Sequence, residues 1–261
     1  KLYDLTAKEN NRQKNSLNLI ASENYPSPRV LNLLGSVWND KYAEGFVGKR
    51  YYAGNELADL LEQFVIDKAL QAFNCEQEYG VNVQVLSGSP ANATVYLSVL
   101  DPGDTVLSLD LASGGHLSHL HSTSSYLKFF KHATYSLKYV NDGYEIDVDD
   151  FTEKIGSIKP RLVIIGFSSY PRKYDFSRLC EIAHQHGCLV LADISHIGGL
   201  VATGAHPSPL TKGDSGADCE RIALRCACVC VCVAASLSAP RQSTDGPGPQ
   251  PPRRLGPGLV G

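Results

Sequence analysis

The sequence contains no methionine and a single tryptophan among its 261 residues. It has no long apolar run either. The longest, Cys226–Ala235, is about ten residues, far short of a membrane-spanning helix. Excess charge of one sign is also missing: Lys and Arg number 24 against 27 Asp and Glu, a formal net charge of -3 with pI near 6.2. Such a balance gives no electrostatic reason to expect nucleic acid or an anionic membrane as partner. A chain that starts at Lys1 without methionine is read as lacking its native start, so any leader peptide would lie outside it. The expected location is the cytoplasm, with a mitochondrial one left open. Of eight cysteines, Cys75, Cys180 and Cys188 are dispersed like the buried thiols of an intracellular enzyme. Cys219, Cys226, Cys228, Cys230 and Cys232 crowd into the end of the chain.

What is present is an alternation of strand and helix signals. Residues 1–40 read as helical in two pieces, split by Pro26 and Pro28. Residues 41–54 hold three glycines and several aromatics and read as a shaped loop. Asn55 is placed as the cap of a helix to Phe73, with Leu57, Leu60, Leu61, Phe64, Val65 and Ala69 on one stripe. Strands are expected at Val81–Leu86, Thr105–Leu109, Ser136–Val140, Arg161–Gly166 and Cys188–Asp193. Helices are expected from Pro90, from near Asp147 and over Asp175–His186. This order implies an α/β fold: a mostly parallel sheet with helices on both faces. Three regions follow: an arm and aromatic loop at 1–54, a partial ligand domain at 55–212, and a tail at 213–261. No apolar period or strand partner is evident in the tail, and disorder is expected from Ser236 onward.

The run Cys188-Leu189-Val190-Leu191-Ala192-Asp193 is the centre of this reading. It suits a strand buried on both faces, ending in a carboxylate at the sheet's ligand crevice. No arginine or lysine adjoins Asp193, so a protonated pyridine nitrogen, as in pyridoxal phosphate, would be a fitting partner. The plain alternative is an aspartate that caps the next turn. Ser87-Gly88-Ser89-Pro90 lies between a strand and a helix N-terminus, where backbone N–H groups and two hydroxyls would suit a phosphate. It equally fits an ordinary strand-to-helix turn. His116, His119 and His121 lack the companions of usual zinc frameworks. The better reading is His116 stacked on a flat cofactor after Gly114-Gly115, with His119 and His121 as polar helix residues. Glu44 lies among aromatics that would raise its carboxyl pKa by desolvation, or else it belongs to a surface loop packed by its tyrosines.

Six segments taken together resemble one family. These are Asn18-Leu19-Ile20-Ala21-Ser22-Glu23-Asn24, Lys41-Tyr42-Ala43-Glu44-Gly45, Gly48-Lys49-Arg50-Tyr51-Tyr52, Ser87-Gly88-Ser89-Pro90-Ala91-Asn92, Gly114-Gly115-His116-Leu117 and Asp193-Ile194-Ser195-His196. Their order and spacing are similar to serine hydroxymethyltransferase from about Leu2 to Lys212. The resemblance implies the aspartate aminotransferase-like fold of pyridoxal phosphate-dependent transferases. It implies transfer of a one-carbon unit between serine and tetrahydrofolate, giving glycine and methylenetetrahydrofolate, in a homodimer or tetramer. Carried over by position, Ser87, Gly88 and Ser89 would hold the cofactor phosphate, and His116 would stack on the ring. Asp193 would pair with the ring nitrogen, while His196 and Ser168 would lie on the phenolic oxygen side. Ser22 would help hold the substrate carboxylate. Tyr42, Glu44 and Tyr52 would enter the neighbouring subunit's site, with Glu44 as the acid/base group.

The departures from the family concern the end of the chain. The family has a Thr-His-Lys-Thr segment roughly thirty residues beyond the ring-binding aspartate, and its lysine forms the internal Schiff base. In this register the chain has Asp218-Cys219-Glu220-Arg221-Ile222-Ala223-Leu224, without a lysine. The family's C-terminal domain has no counterpart, and the tail reads as foreign sequence. The expectation is therefore little activity from this chain alone, or a non-catalytic role beside a full-length subunit.

Overall fold

A computed structural model of the protein describes residues 1–75, 79–210, 222–226 and 231–235. The first part of the chain is an arm. Helix α1 (Leu2–Lys14) buries no residue, and α2 (Pro28–Leu34) starts from Ser27, whose side chain accepts from the Val30 N–H. The loop that follows contains a small antiparallel pair, β1 (Gly45–Phe46) and β2 (Lys49–Arg50), and leads into α3 (Glu56–Phe73).

Next come β3 (Tyr79–Asn82), α4 (Gly88–Val99), β4 (Thr105–Leu109) and β5 (Lys131–Tyr135). A separate hairpin follows, β6 (Leu137–Val140) with β7 (Gly143–Ile146), and then α5 (Val148–Ile158), β8 (Leu162–Ile165) and α6 (Phe176–Gln185). The chain continues with β9 (Leu189–Asp193), α7 (Gly198–Ala202), β10 (Ile222–Cys226) and β11 (Val231–Ala235). Seven strands form one sheet in the order β3-β11-β10-β9-β8-β4-β5. All neighbouring pairs are parallel except those of β11, which is antiparallel to both β10 and β3.

Alternation along the central strands sends side chains into two cores. Val163, Ile165, Val190 and Ala192 join Phe151, Ile155, Phe176, Leu179 and Ala183 on the α5–α6 face. Leu162, Ile164, Leu189 and Leu191 join Tyr96, Leu100 and Leu120 on the α4 face. Both faces of β8 and β9 are thus covered, which is why these strands read as unbroken apolar runs.

Several sequence expectations need correction. The strand expected at Val81–Leu86 ends at Asn82, and that expected at Ser136–Val140 belongs to the outlying hairpin. The sheet strand is Lys131–Tyr135, an edge strand whose exposed Lys131 and half-buried His132 disguise it. Asn55 precedes α3, yet its side chain makes no cap bond; its amide donates to the Tyr42 and Tyr52 carbonyls at 3.2 and 3.1 Å. The stripe on α3 does not enter the core as a unit: Ala69 is buried, but Leu57, Leu60 and Phe64 are more than half exposed. Beyond Lys212 the chain does have strand partners, because β10 pairs with β9 and β11 with β3. The disorder expected from Ser236 falls outside the described residues.

Candidate functional site

The site lies where β4, β8 and β9 end, at the carboxyl edge of the sheet. Asp193 closes β9 and is only 5% exposed. Its carboxylate accepts from donors on two sides. Oδ2 receives Asn92 Nδ2 at 3.1 Å and lies 2.9 Å from His119 Nε2. Oδ1 receives the Ser195 N–H at 3.2 Å and the Ser195 hydroxyl. The carboxylate thus caps the next turn through Oδ1 and holds two buried side chains through Oδ2.

The absence of a neighbouring Lys or Arg in sequence concealed the partner, which is His119. It is 2% exposed and lies in a turn, so the expectation of a polar helix residue is corrected. His119 is brought there by a sharp turn: Leu120 takes φ 61° with its side chain fully buried in the α4-side core. Asn92, fully buried on α4, was within a quoted segment but given no role. A polar residue inside an otherwise apolar helix face was the signal for it.

His116 joins the same network. Its Nδ1 lies 2.7 Å from Ser118 Oγ, which accepts from Asn92 Nδ2 at 3.0 Å. The His116 and His119 rings lie 5.6 Å apart between centroids. His121 turns away to Thr123, 3.1 Å from its Nδ1. The three histidines thus serve three partners, and among the described residues no group of three His, Cys, Asp or Glu is placed to hold a metal ion.

Ser87, Gly88 and Ser89 open α4, one turn before Asn92. Ser87 stands at the cap position without a side-chain cap bond. The Ser168 N–H donates to the Gly114 carbonyl at 2.8 Å, which ties the end of β8 to the turn before His116. Gly114 has φ +108°, a conformation that favours glycine. Gly166 has another reason to be glycine: a Cβ there would overlap the Asp193 carbonyl oxygen and Cβ. Sequence reasoning missed Gly166, since the close approach arises only when β8 and β9 pair.

Other expected residues stand apart from this network. His196 is exposed, three residues beyond Asp193. Ser22 is exposed on the arm. Tyr42 and Tyr52 pack edge-to-face on each other at 5.5 Å and remain 68% and 51% exposed. Glu44 is exposed, so the desolvation expected from its aromatic neighbours is not provided within this chain.

Two buried atoms beside Asp193 have no hydrogen-bond partner: Asn92 Oδ1 and His119 Nδ1. Unpaired buried polar atoms are costly, so their pairing at a carboxylate suits a site that a polar ligand completes. An acidic group, a half-buried imidazole and a helix N-terminus with two hydroxyls fit a flat cationic ring bearing a phosphate.

Comparison with known proteins bears on the family. The sequence profile described as serine hydroxymethyltransferase matches residues 1–235, which includes both closing strands. The serine hydroxymethyltransferase of Nitratiruptor sp. is 47% identical over 208 residues, covering 80% of this chain and 49% of that protein. The enzyme of that name from Desulfotalea psychrophila is 45% identical over 213 residues, 82% of this chain and 49% of its own length. That of Methanosarcina barkeri is also 45% identical, over 82% of this chain and 50% of its own. The chain spans about half the length of the curated relatives it matches. Among the described residues no helix is long and apolar enough to cross a membrane.

Proposed function

The chain belongs to the serine hydroxymethyltransferase family, and from that premise we propose that it supplies the N-terminal arm (1–54) and most of the cofactor domain (55–212) of an enzyme exchanging a one-carbon unit between serine and tetrahydrofolate. The fold is that of the pyridoxal phosphate-dependent transferases, in incomplete form. The observation that carries the reading is the buried carboxylate of Asp193, joined through Asn92 to both Ser118 and the first turn of α4.

In this reading the cofactor is pyridoxal 5'-phosphate, which when bound supplies an electron sink for bond cleavage at the amino acid's α-carbon. Ser87, Gly88 and Ser89 hold its phosphate, and His116 covers the ring face. Asp193 keeps the ring nitrogen protonated, because a nearby anion favours the charged form. His119 and Asn92 fix the carboxylate from behind. Ser168 and His196 attend the phenolic oxygen. Ser22 and Tyr52 bind substrate, and Glu44, with Tyr42 beside it, moves the proton at the substrate hydroxyl. The last three loop residues serve the site of a neighbouring subunit.

Cofactor binding is tested by titrating the purified chain with pyridoxal phosphate and following absorbance. Asp193→Ala should weaken binding by at least about tenfold, corresponding to ~1.4 kcal/mol; equal binding by the variant would end the reading. Because the family's lysine has no counterpart in this register, the isolated chain should show little or no serine–glycine exchange. Full turnover from a preparation of verified mass would refute that.

A second reading is a non-catalytic chain that pairs with a full-length subunit. The exposed apolar side chains of Leu57, Leu60 and Phe64, beside the exposed Tyr42 and Tyr52, favour it. Co-elution with an intact family enzyme tests this, and separate elution at micromolar concentration would remove it.

A further inference from the structure

The aromatic loop presents a physical puzzle. Tyr42, Phe46, Tyr51 and Tyr52 are all more than half exposed, so hydrophobic burial does not hold this segment in shape. Its fixed point is Arg50, whose side chain is 5% exposed. Nε donates to Asp59 Oδ1 at 2.7 Å, and Nη2 to Glu62 Oε2 at 2.6 Å, both on α3. Nη1 donates to two backbone carbonyls, Ala43 at 2.9 Å and Gly45 at 2.7 Å. Those two carbonyls belong to the residues before and after Glu44, whose own carbonyl accepts from the Tyr51 N–H at 3.0 Å.

The surrounding donors complete the knot. The Gly48 N–H donates to Asp59 Oδ2 at 3.0 Å. Gln84 Nε2 donates to Glu62 Oε1 at 2.7 Å and to the Gly45 carbonyl at 3.0 Å. One buried cation between two carboxylates is poor evidence of stabilisation, since desolvation offsets the attraction. What it supplies is geometry. The planar guanidinium fork addresses four acceptors in fixed directions, which an ammonium cannot reproduce.

We propose that Arg50 is the positioning residue of Glu44: by clamping the carbonyls of the residues before and after it to α3, the guanidinium presents the Glu44 carboxylate outward, already ordered, before a partner subunit arrives. The inference rests on the reading of Glu44 as the acid/base group of a neighbouring site. A loop ordered in advance spends less of the association energy on its own ordering. The aromatics are then left exposed for contact with the partner rather than for folding the loop.

Two measurements on the whole chain separate this inference from the reading beneath it. In the first, hydrogen exchange followed by mass spectrometry compares the chain with Arg50→Lys. The substitution should speed exchange across residues 44–52 by about tenfold while peptides from β8 and β9 are unchanged. Unchanged exchange in the loop, or equal acceleration everywhere, would overturn the positioning role. In the second, the chain is mixed with a full-length family enzyme that keeps its lysine but carries Gln for its acid/base glutamate. The native chain should restore exchange activity, Glu44→Gln should not, and Arg50→Lys should lower kcat about tenfold with little change in KM. Restoration by Arg50→Lys equal to the native chain overturns the inference. Failure of the native chain to restore activity removes the role given to Glu44 and, with it, the positioning of an acid/base group.

Discussion

The end of β9 and the N-terminal arm use the same residue types in opposite ways. Around Asp193, polar groups are buried among apolar ones: Asn92, His119 and the carboxylate are nearly inaccessible, and two of their atoms await partners. In the arm and loop, apolar groups face solvent: Leu19, Leu33, Leu34, Tyr42 and Phe46 are each more than half exposed, while the deeply buried Arg50 guanidinium donates to four acceptors. The first region is complete as a fold and unfinished as a polar network. The second is finished as a polar network and unfinished as a fold. In the proposed reading a ligand answers the first deficit, and a second protein surface answers the other.

Substitutions can break this contrast. The largest effect is expected at Asp193→Ala, which strands the His119 and Asn92 donors in the core; a loss of about 3–5 kcal/mol should appear in denaturant unfolding. Gly166→Ala comes next, since its Cβ must push Asp193 off the strand end, costing about 1–3 kcal/mol. Acidification distinguishes the two regions in a graded way. Burial, with help from His119 and His121, holds His132 below its usual 6.5. The unfolded chain therefore takes up that proton more readily, and stability should decline as pH falls below 6.5. His132→Gln should flatten this part of the melting-temperature profile.

The arm responds later to acid. The Arg50 guanidinium bonded to Asp59 holds that carboxyl below its ordinary 3.8. Its contribution is thus present above 3.8 and fades only under stronger acid, so loop protection factors, corrected for the pH dependence of free-amide exchange, should match at pH 6 and pH 5. The smallest effect belongs to α1, which buries nothing: deleting residues 1–14 should change stability of the lone chain by less than about 0.5 kcal/mol.

The sequence made the central strands legible because burial on both faces leaves an unmistakable apolar run, as at Leu189–Asp193 and Leu162–Ile165. Ser87-Gly88-Ser89 and Gly114-Gly115 were legible because turns restrict residue choice. His119 was not, since its burial depends on a left-handed Leu120 that no local pattern announces. Nor was β5, whose Lys131 and His132 occupy an edge where one side needs no cover. The exposed stripe of α3 misled for the opposite reason. Its period is that of a core helix, and period alone does not say which molecule supplies the other half of the core.

The antiparallel strand β11 has a topological consequence. It is the bridge by which β3, at one border, reaches the rest of the sheet, and β10 is what shields the flank of β9. A protein cut at residue 221 would turn β9, a buried central strand, into an open border, with bare backbone amides ready to recruit another chain. Edge-to-edge association would then compete with folding, whatever the chemistry of its ligand crevice.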